Sequence, residues 1–254
     1  MKTAISATVL TKNSEKHIRR CLESLRAFDE VLVLDNGSTD QTMIWAREYP
    51  NVKVVEHPFI GFGPLKRKAV DFAKNDWIFS IDSDEAVTPK LLEEIAQLDL
   101  NDATQVFKLP RDNYYKDEHI KACGWYPDLL VRLFNRRHTN FDEAMIHEQV
   151  VIRPNSQLKK LRGSISHFAF DRAGQLIEKM QKYSELYAET TTEKSSLSKA
   201  VVRSLIAFIK SYFIKRGFLY GYKGLVISVS NANGTFFKYL KAYERQYEKK
   251  HRKS

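Results

Sequence analysis

Along the first hundred residues, short aliphatic and β-branched runs alternate with stretches whose apolar positions recur every three to four residues. The runs at 4–10, 30–35, 52–57 and 76–82 carry few polar interruptions, as strands buried on both faces do. Between them, 14–28 places Ile18, Cys21, Leu22 and Leu25 at helical spacing, and 41–49 and 64–75 keep the same period. The alternation predicts a β-α-β-α-β-α-β series, hence a largely parallel sheet covered by helices. Thr88 ahead of Pro89 marks a helix start, with 90–100 helical. Segments 104–115 and 128–137 read as strands of a mixed sheet joined by a loop at 119–127, and 163–170 closes the β-rich part. From Asp171 onward the pattern is helical.

Composition bounds this picture without changing it. At 254 residues, 43% hydrophobic and 28% charged, the chain can bury one substantial core and carry a smaller appendage. No run approaches the roughly 18 apolar residues of a spanning helix. The N-terminus reads as a first strand rather than a secretory signal. Cys21 and Cys123 lie far apart without metal-ligand spacing, which fits a reducing compartment, so a cytoplasmic protein is expected.

Charge does change the picture. Residues 194–254 carry 14 Lys and Arg against Glu244 and Glu248, so this tail holds +12 of a net +10 and the preceding 193 residues hold −2. The expected organisation is an α/β domain over 1–193 and a basic amphipathic helical region over 194–254. Within the tail, Val201, Val202, Leu205, Ile206, Ile209, Tyr212 and Phe213 share one helical face, with Arg203, Lys210, Lys215 and Arg216 around it. Such a helix suits the interface of an anionic membrane; the plainer reading is that its apolar face packs on the rest of the chain or on a second copy. No helix-turn-helix, zinc-finger or RNP signature is present, so nucleic acid is not an expected partner.

The candidate chemistry lies at two strand ends. The run at 76–82 leads straight into Asp82, Ser83, Asp84 and Glu85, and three carboxylates this close repel unless a cation, a protonation change or solvent relieves them. An Asp-x-Asp ending a strand suits a divalent cation that carries a diphosphate; taken alone it could equally cap a turn. The strand at 30–35 also ends in an acidic turn, Asp35-Asn36-Gly37, where Gly37 permits the turn and Ser38 or Thr39 can cap the next helix. Both turns fall at carboxyl ends of strands, where open α/β sheets bind ligands.

The stretches ISATVLTKNSEKHIRRCLESL, DEVLVLDNGSTDQT and DWIFSIDSDE resemble the N-terminal half of the nucleotide-sugar glycosyltransferases of family 2, with the GT-A fold. YPDLLVRLFNRR, MIHEQV and SHFAFDRAGQLIEKMQKYSELYAE are similar to bacterial enzymes that add glucose to the heptose or Kdo of the lipopolysaccharide inner core. The resemblance implies a GT-A domain followed by a basic helical appendage. It implies that Thr11, Asp35 and Asn36 hold the uridine. Asn36 stands where many relatives have a second Asp, and its amide still offers a donor and an acceptor to a uracil edge. Lys66 and Arg67 would face the nucleotide or its diphosphate, unless they form a solvated helix face. Asp82 and Asp84 would form the motif for Mg²⁺ or Mn²⁺, Asp84 as the direct ligand, with His167 returning to the same ion. Gly124, Trp125 and Tyr126 would form a loop against which donor sugar and acceptor stack.

For the base that takes the acceptor's proton, family members often use an Asp in a Glu-Asp pair. This chain has Met-Ile-His-Glu at 145–148, which assigns Glu148, with Asp128, Asp142 and Glu143 as alternatives; His147 would orient the site or pack. The expected reaction is an inverting, metal-dependent transfer of one hexose, glucose from UDP-glucose, to a lipid-anchored inner-core acceptor at the inner face of the cytoplasmic membrane. A single transfer is expected because the Gln-x-x-Arg-Trp motif and membrane helices of the processive synthases are missing. Another nucleotide sugar or glycan acceptor is the alternative, and a non-enzymatic basic membrane- or nucleic-acid-binding protein a distant one. A nucleotidyltransferase would show a Gly-rich loop after the first strand, where TKNSEKH has no glycine.

Overall fold

The computed structural model describes residues 4–145 and 148–251. The chain divides into two compact units, residues 1–112 with 128–168 and residues 113–127 with 169–254. The 193/194 junction expected from charge lies inside the second of these.

In the first unit, β1 (Ile5–Thr11) pairs in parallel with β2 (Glu30–Asp35) on one side and β4 (Trp77–Asp82) on the other, and β2 pairs with β3 (Val52–Glu56). Helices α1 (Ile18–Ser24), α2 (Thr42–Ala46) and α3 (Phe62–Phe72) make the crossovers. The continuous apolar runs are explained by burial on both faces: Val31 and Val33 join Ile5, Ala7, Val9 and Ile81 in one cluster, while Leu32 and Leu34 pack with Leu65 and Ala69 of α3 in another. Full burial of each such aliphatic side chain contributes about 1.5–3 kcal/mol.

Beyond β4 come β5 (Glu85–Val87), α4 (Pro89–Ala96), β6 (Gln105–Tyr115), β8 (Leu129–Asn135), β9 (Gln157–Lys160) and β10 (Ile165–Phe170). The strand order is β3-β2-β1-β4-β8-β6-β10-β5, with β9 beside β6. As expected, the sheet is mixed: parallel from β3 to β4, antiparallel where β8 pairs with both β4 and β6, and parallel again where β9 pairs with β6. Thr88 caps α4 by accepting from Leu91 N. Neither Ser38 nor Thr39 caps α2. Ser38 turns to Asp35 instead, and Asp40 Oδ1 accepts from Thr42 N.

The second unit contains β7 (Glu118–His119), which pairs with the end of β6, and helices α5 (Ala173–Thr190), α6 (Leu197–Ile209) and α7 (Gly221–His251). α7 packs on both α5 and α6. A π-helical turn, Lys210–Ile214, and a 3₁₀ turn, Gly217–Tyr220, reverse the chain between α6 and α7. A Cβ on Gly224 would collide with the carbonyl oxygen of Gly217, so only glycine lets α7 start this close to the turn. Ile120, Cys123, Phe170, Leu176 and Ile227 form the core here. Among the described residues, no helix is long and apolar enough to cross a membrane.

Candidate active site

Parallel pairing aligns the carboxyl ends of three strands: Thr11 is in register with Asp35, and Leu10 with Asp82. The chain leaves β2 through a turn built on Asp35. That buried carboxylate accepts from Gly37 N at 3.0 Å and Ser38 N at 2.9 Å on one oxygen, and from Ser38 Oγ at 2.5 Å on the other. Gly37 sits at φ +98°, a conformation other residues rarely adopt. Asp35 is thus committed to shaping the turn. The atoms left over belong to its neighbours: Asn36 Oδ1 and Thr11 Oγ1 are buried with no hydrogen-bond partner among the described residues. Asn36 N donates to Thr11 O at 3.0 Å, which keeps the two residues side by side. Burying an unsatisfied polar atom costs about 1–3 kcal/mol, so a pair of them in one place points to a ligand that completes both.

The three carboxylates between the end of β4 and the start of β5 part company. Glu85 turns fully inward, where Arg132 Nη2 donates to its two oxygens at 2.8 and 2.9 Å, and Arg111 Nη1 approaches at 3.4 Å. Asp82 has one oxygen on Arg132 Nη2 at 2.8 Å and the other on Lys66 Nζ at 3.0 Å. Burial pushes the Asp82 carboxyl up, but Arg132 and then Lys66 outweigh it and hold it well below the usual carboxylate range. The guanidinium of Arg132 is driven the other way: burial disfavours its charge, and Asp82 and Glu85 more than restore it.

Asp84 alone faces a different partner, His167 Nε2 at 3.5 Å from its Oδ2. The pairing of β5 with β10 creates this contact, by setting His167 opposite Glu85 and letting Phe168 N donate to Asp84 O at 2.9 Å. Burial raises the Asp84 carboxyl, and His167, by hydrogen bond and charge, brings it below its ordinary value.

Lys66 links this cluster to Glu148, whose Oε1 is 2.9 Å from Nζ. Helix α3 sets that position. It starts at Gly61 without a side-chain cap, and the carbonyls of Met145 and Ala144 accept from its first amides, Phe62 N at 3.1 Å and Gly63 N at 3.0 Å. Arg67 does not stand on a solvated face; its Nη1 donates to Phe141 O at 2.7 Å and ties the same segment down.

Of the alternatives to Glu148, Asp128 accepts from Nε and Nη2 of Arg111, Asp142 accepts from Ala144 N, and Glu143 is exposed. His147 lies outside the described residues. Gly124, Trp125 and Tyr126 belong to the second unit. There Gly124 has φ +84°, and the Trp125 ring lies 5.4 Å from Phe170, beside a cavity of about 270 Å³ that Met180 and Tyr183 also line.

The residues that sequence reasoning missed are Arg132 and Arg111, which hold the acidic turn; Glu85 was seen as part of the acidic cluster, but not as their buried partner. The signal was available for Arg132: a single Arg within the apolar run LLVRLF cannot be buried without carboxylate partners.

As for a divalent cation, the donor set suits one. A carboxylate oxygen and an imidazole nitrogen at 3.5 Å compare with the roughly 3 Å between adjacent ligands of an octahedral ion bound at about 2.1 Å. No group of three or more His, Cys, Asp or Glu side chains converges among the described residues. A diphosphate and water would therefore have to supply the remaining oxygens, as they do for Mg²⁺ at many nucleotide sites.

Comparison with known proteins decides the class, because the model of the family described as "Glycosyl transferase family 2" matches residues 6–153. The chain belongs to glycosyltransferase family 2. Its sheet with flanking helices is the GT-A arrangement expected of that family. An uncharacterised glycosyltransferase of Rickettsia typhi is 28% identical over 94% of this chain and 87% of its own length. The lipopolysaccharide core biosynthesis glycosyltransferase LpsC of Rhizobium meliloti is 26% identical over 96% of this chain and 93% of its own. Among solved structures, residues 1–349 of Staphylococcus aureus TarS with UDP-GlcNAc superpose with a TM-score of 0.47 at 14% identity, over 97% of this chain and 92% of that one.

Proposed function

We propose that this glycosyltransferase moves a single hexose, glucose from UDP-glucose, with inversion onto the heptose or Kdo region of a lipopolysaccharide inner core. The observation that carries the donor assignment is the pair of unsatisfied buried atoms, Thr11 Oγ1 and Asn36 Oδ1, at the carboxyl edge of the parallel strands. A uracil edge presents one N–H between two carbonyl oxygens. The N–H would satisfy the Asn36 oxygen, and a carbonyl would accept from the Thr11 hydroxyl. The likeness to LpsC over nearly the whole of both chains supports the core acceptor.

Asp84 and His167 would hold Mg²⁺ or Mn²⁺, which when bound supplies positive charge against the departing diphosphate. Lys66 and Arg132 fix Asp82 as a carboxylate that accepts hydrogen bonds from the nucleotide sugar. Glu148, held by Lys66 at the edge of the same cluster, takes the proton of the acceptor hydroxyl as it attacks the anomeric carbon from the face opposite UDP. The acceptor is anchored in lipid, so the enzyme works at the inner face of the cytoplasmic membrane.

Calorimetric titration with UDP-glucose, in Mn²⁺ and then in EDTA, tests this reading. Binding should require the metal, fall at least tenfold in Asp84→Ala and weaken by a similar factor in Asn36→Leu, which leaves the uracil N–H unpaired. Glu148→Gln should bind donor within a few-fold of wild type and lose about 10²–10⁴ in turnover on core fragments. Silence toward UDP-glucose, UDP-galactose and UDP, with or without metal, would end the uridine assignment.

A further inference from the structure

We infer that the exposed apolar face of α6, together with the turn that follows it, is a docking surface for an anionic lipid bilayer. This goes beyond the transfer chemistry and does not depend on the donor. On α6, Val201, Leu205 and Ile209 lie on successive turns with Val202 and Ile206 beside them, and all five are 48–60% exposed. Ala200, on the opposite side, is fully buried, so the helix turns its small residue inward and its large aliphatic ones to solvent. That reverses the usual burial of an amphipathic helix. The face continues through the π-helical and 3₁₀ turns, where Phe213, Ile214, Phe218 and Leu219 are 47–69% exposed. A contiguous apolar surface of this extent is rare on soluble monomers and marks an interaction site.

Charge selects the occupant. Arg203 and Lys210 border the α6 stripe on one side, at 100° per residue, and Lys215 and Arg216 follow at the turn. All four are exposed, and none makes an ion pair among the described residues. From Lys194 to Tyr243 the chain carries nine Lys and Arg and no acidic residue. A second copy docked through this face would set the same cations against each other, and Glu193, which acts on Arg203, offsets one of the four at most. An anionic bilayer offers both complements at once, acyl chains for the aliphatic side chains and headgroups for the cations at their rim.

The test is sedimentation of the full chain with vesicles of equal parts phosphatidylglycerol and phosphatidylcholine, and with pure phosphatidylcholine, without donor or acceptor. Two triple variants accompany it, Leu205→Ser/Ile214→Ser/Leu219→Ser for the apolar face and Arg203→Gln/Lys210→Gln/Lys215→Gln for the rim. Sedimentation velocity gives the oligomeric state of each. The expected result is a monomer that binds the anionic vesicles, binds pure phosphatidylcholine far more weakly, and loses about a hundredfold in partitioning in either variant. The rim variant keeps the test open should the apolar one fail to fold. A chain that ignores anionic vesicles, binds them equally well in both variants, or forms a dimer that the apolar variant dissolves would overturn the proposal. Because no nucleotide is present, that failure is separate from failure of the UDP-glucose titration.

Discussion

Arg132 supplies positive charge to the acidic turn from within the protein itself. Its side chain is 5% exposed and bridges Glu85 and Asp82, with Arg111 and Lys66 supplying the remaining positive charge, while Asp84 pairs with His167 instead. Removing one partner of a buried ion pair leaves the other charge stranded. Arg132→Met should therefore lower stability by about 3–5 kcal/mol. Adding Glu85→Gln removes the stranded charge, so the double variant should recover about 1–3 kcal/mol relative to the sum of the singles. Urea unfolding of the four proteins measures this. A single-variant loss below about 1 kcal/mol would show that the cluster is solvated rather than buried. The triplet of carboxylates was plain in the sequence. Its division of labour was not, because the cations that sort the acids come from α3, β6 and β8, well removed along the chain.

At the scale of elements, the strand-helix alternation up to β4 was legible because burial on both faces writes a continuous apolar run. The three shortest strands were not. β5 has three residues in the acid-rich turn and exists through its pairing with β10, which also delivers His167 to Asp84. The segment at 140–152 gave no periodic signal and, among its described residues, holds one isolated bridge, Phe141 to Val150, yet it carries Glu148. What places it is the unfinished hydrogen bonding of α3. A Cβ on Gly63 would stand 2.6 Å from the carbonyl oxygen of Asp142 and 2.7 Å from that of Ala144. Gly63→Ala must push this segment away, at a cost of about 1–3 kcal/mol. Since Glu148 rides on it, turnover should fall far more than donor affinity. Equal losses in both, measured by steady-state kinetics and calorimetry, would place Glu148 outside the reacting centre.

Across the whole molecule, both thiols are buried, one in each unit. Burial, then the charges of Glu85, Asp84 and Asp82, push the Cys21 thiol well above its ordinary value, and burial raises Cys123. A group raised in the fold contributes stability that is complete below its unfolded value, about 8.5 for cysteine, and is lost as pH climbs toward the folded one. The urea midpoint should thus fall between about pH 7.5 and pH 9.5, and that slope should flatten in Cys21→Ala/Cys123→Ala. A wild-type midpoint that stays level over the interval would contradict the burial of the thiols.

Periodicity, local turn chemistry and composition were enough for the α/β series, the acidic turns at two strand ends and the concentration of positive charge in the tail, and the motifs at those turns carried the resemblance to the family. The folded chain alone revealed which acid meets which cation, that Thr11 and Asn36 are left unsatisfied side by side, and that the apolar face of α6 turns outward. Each of those depends on neighbours tens of residues away, and burial and hydrogen-bond satisfaction become defined only when the fold brings such neighbours into contact.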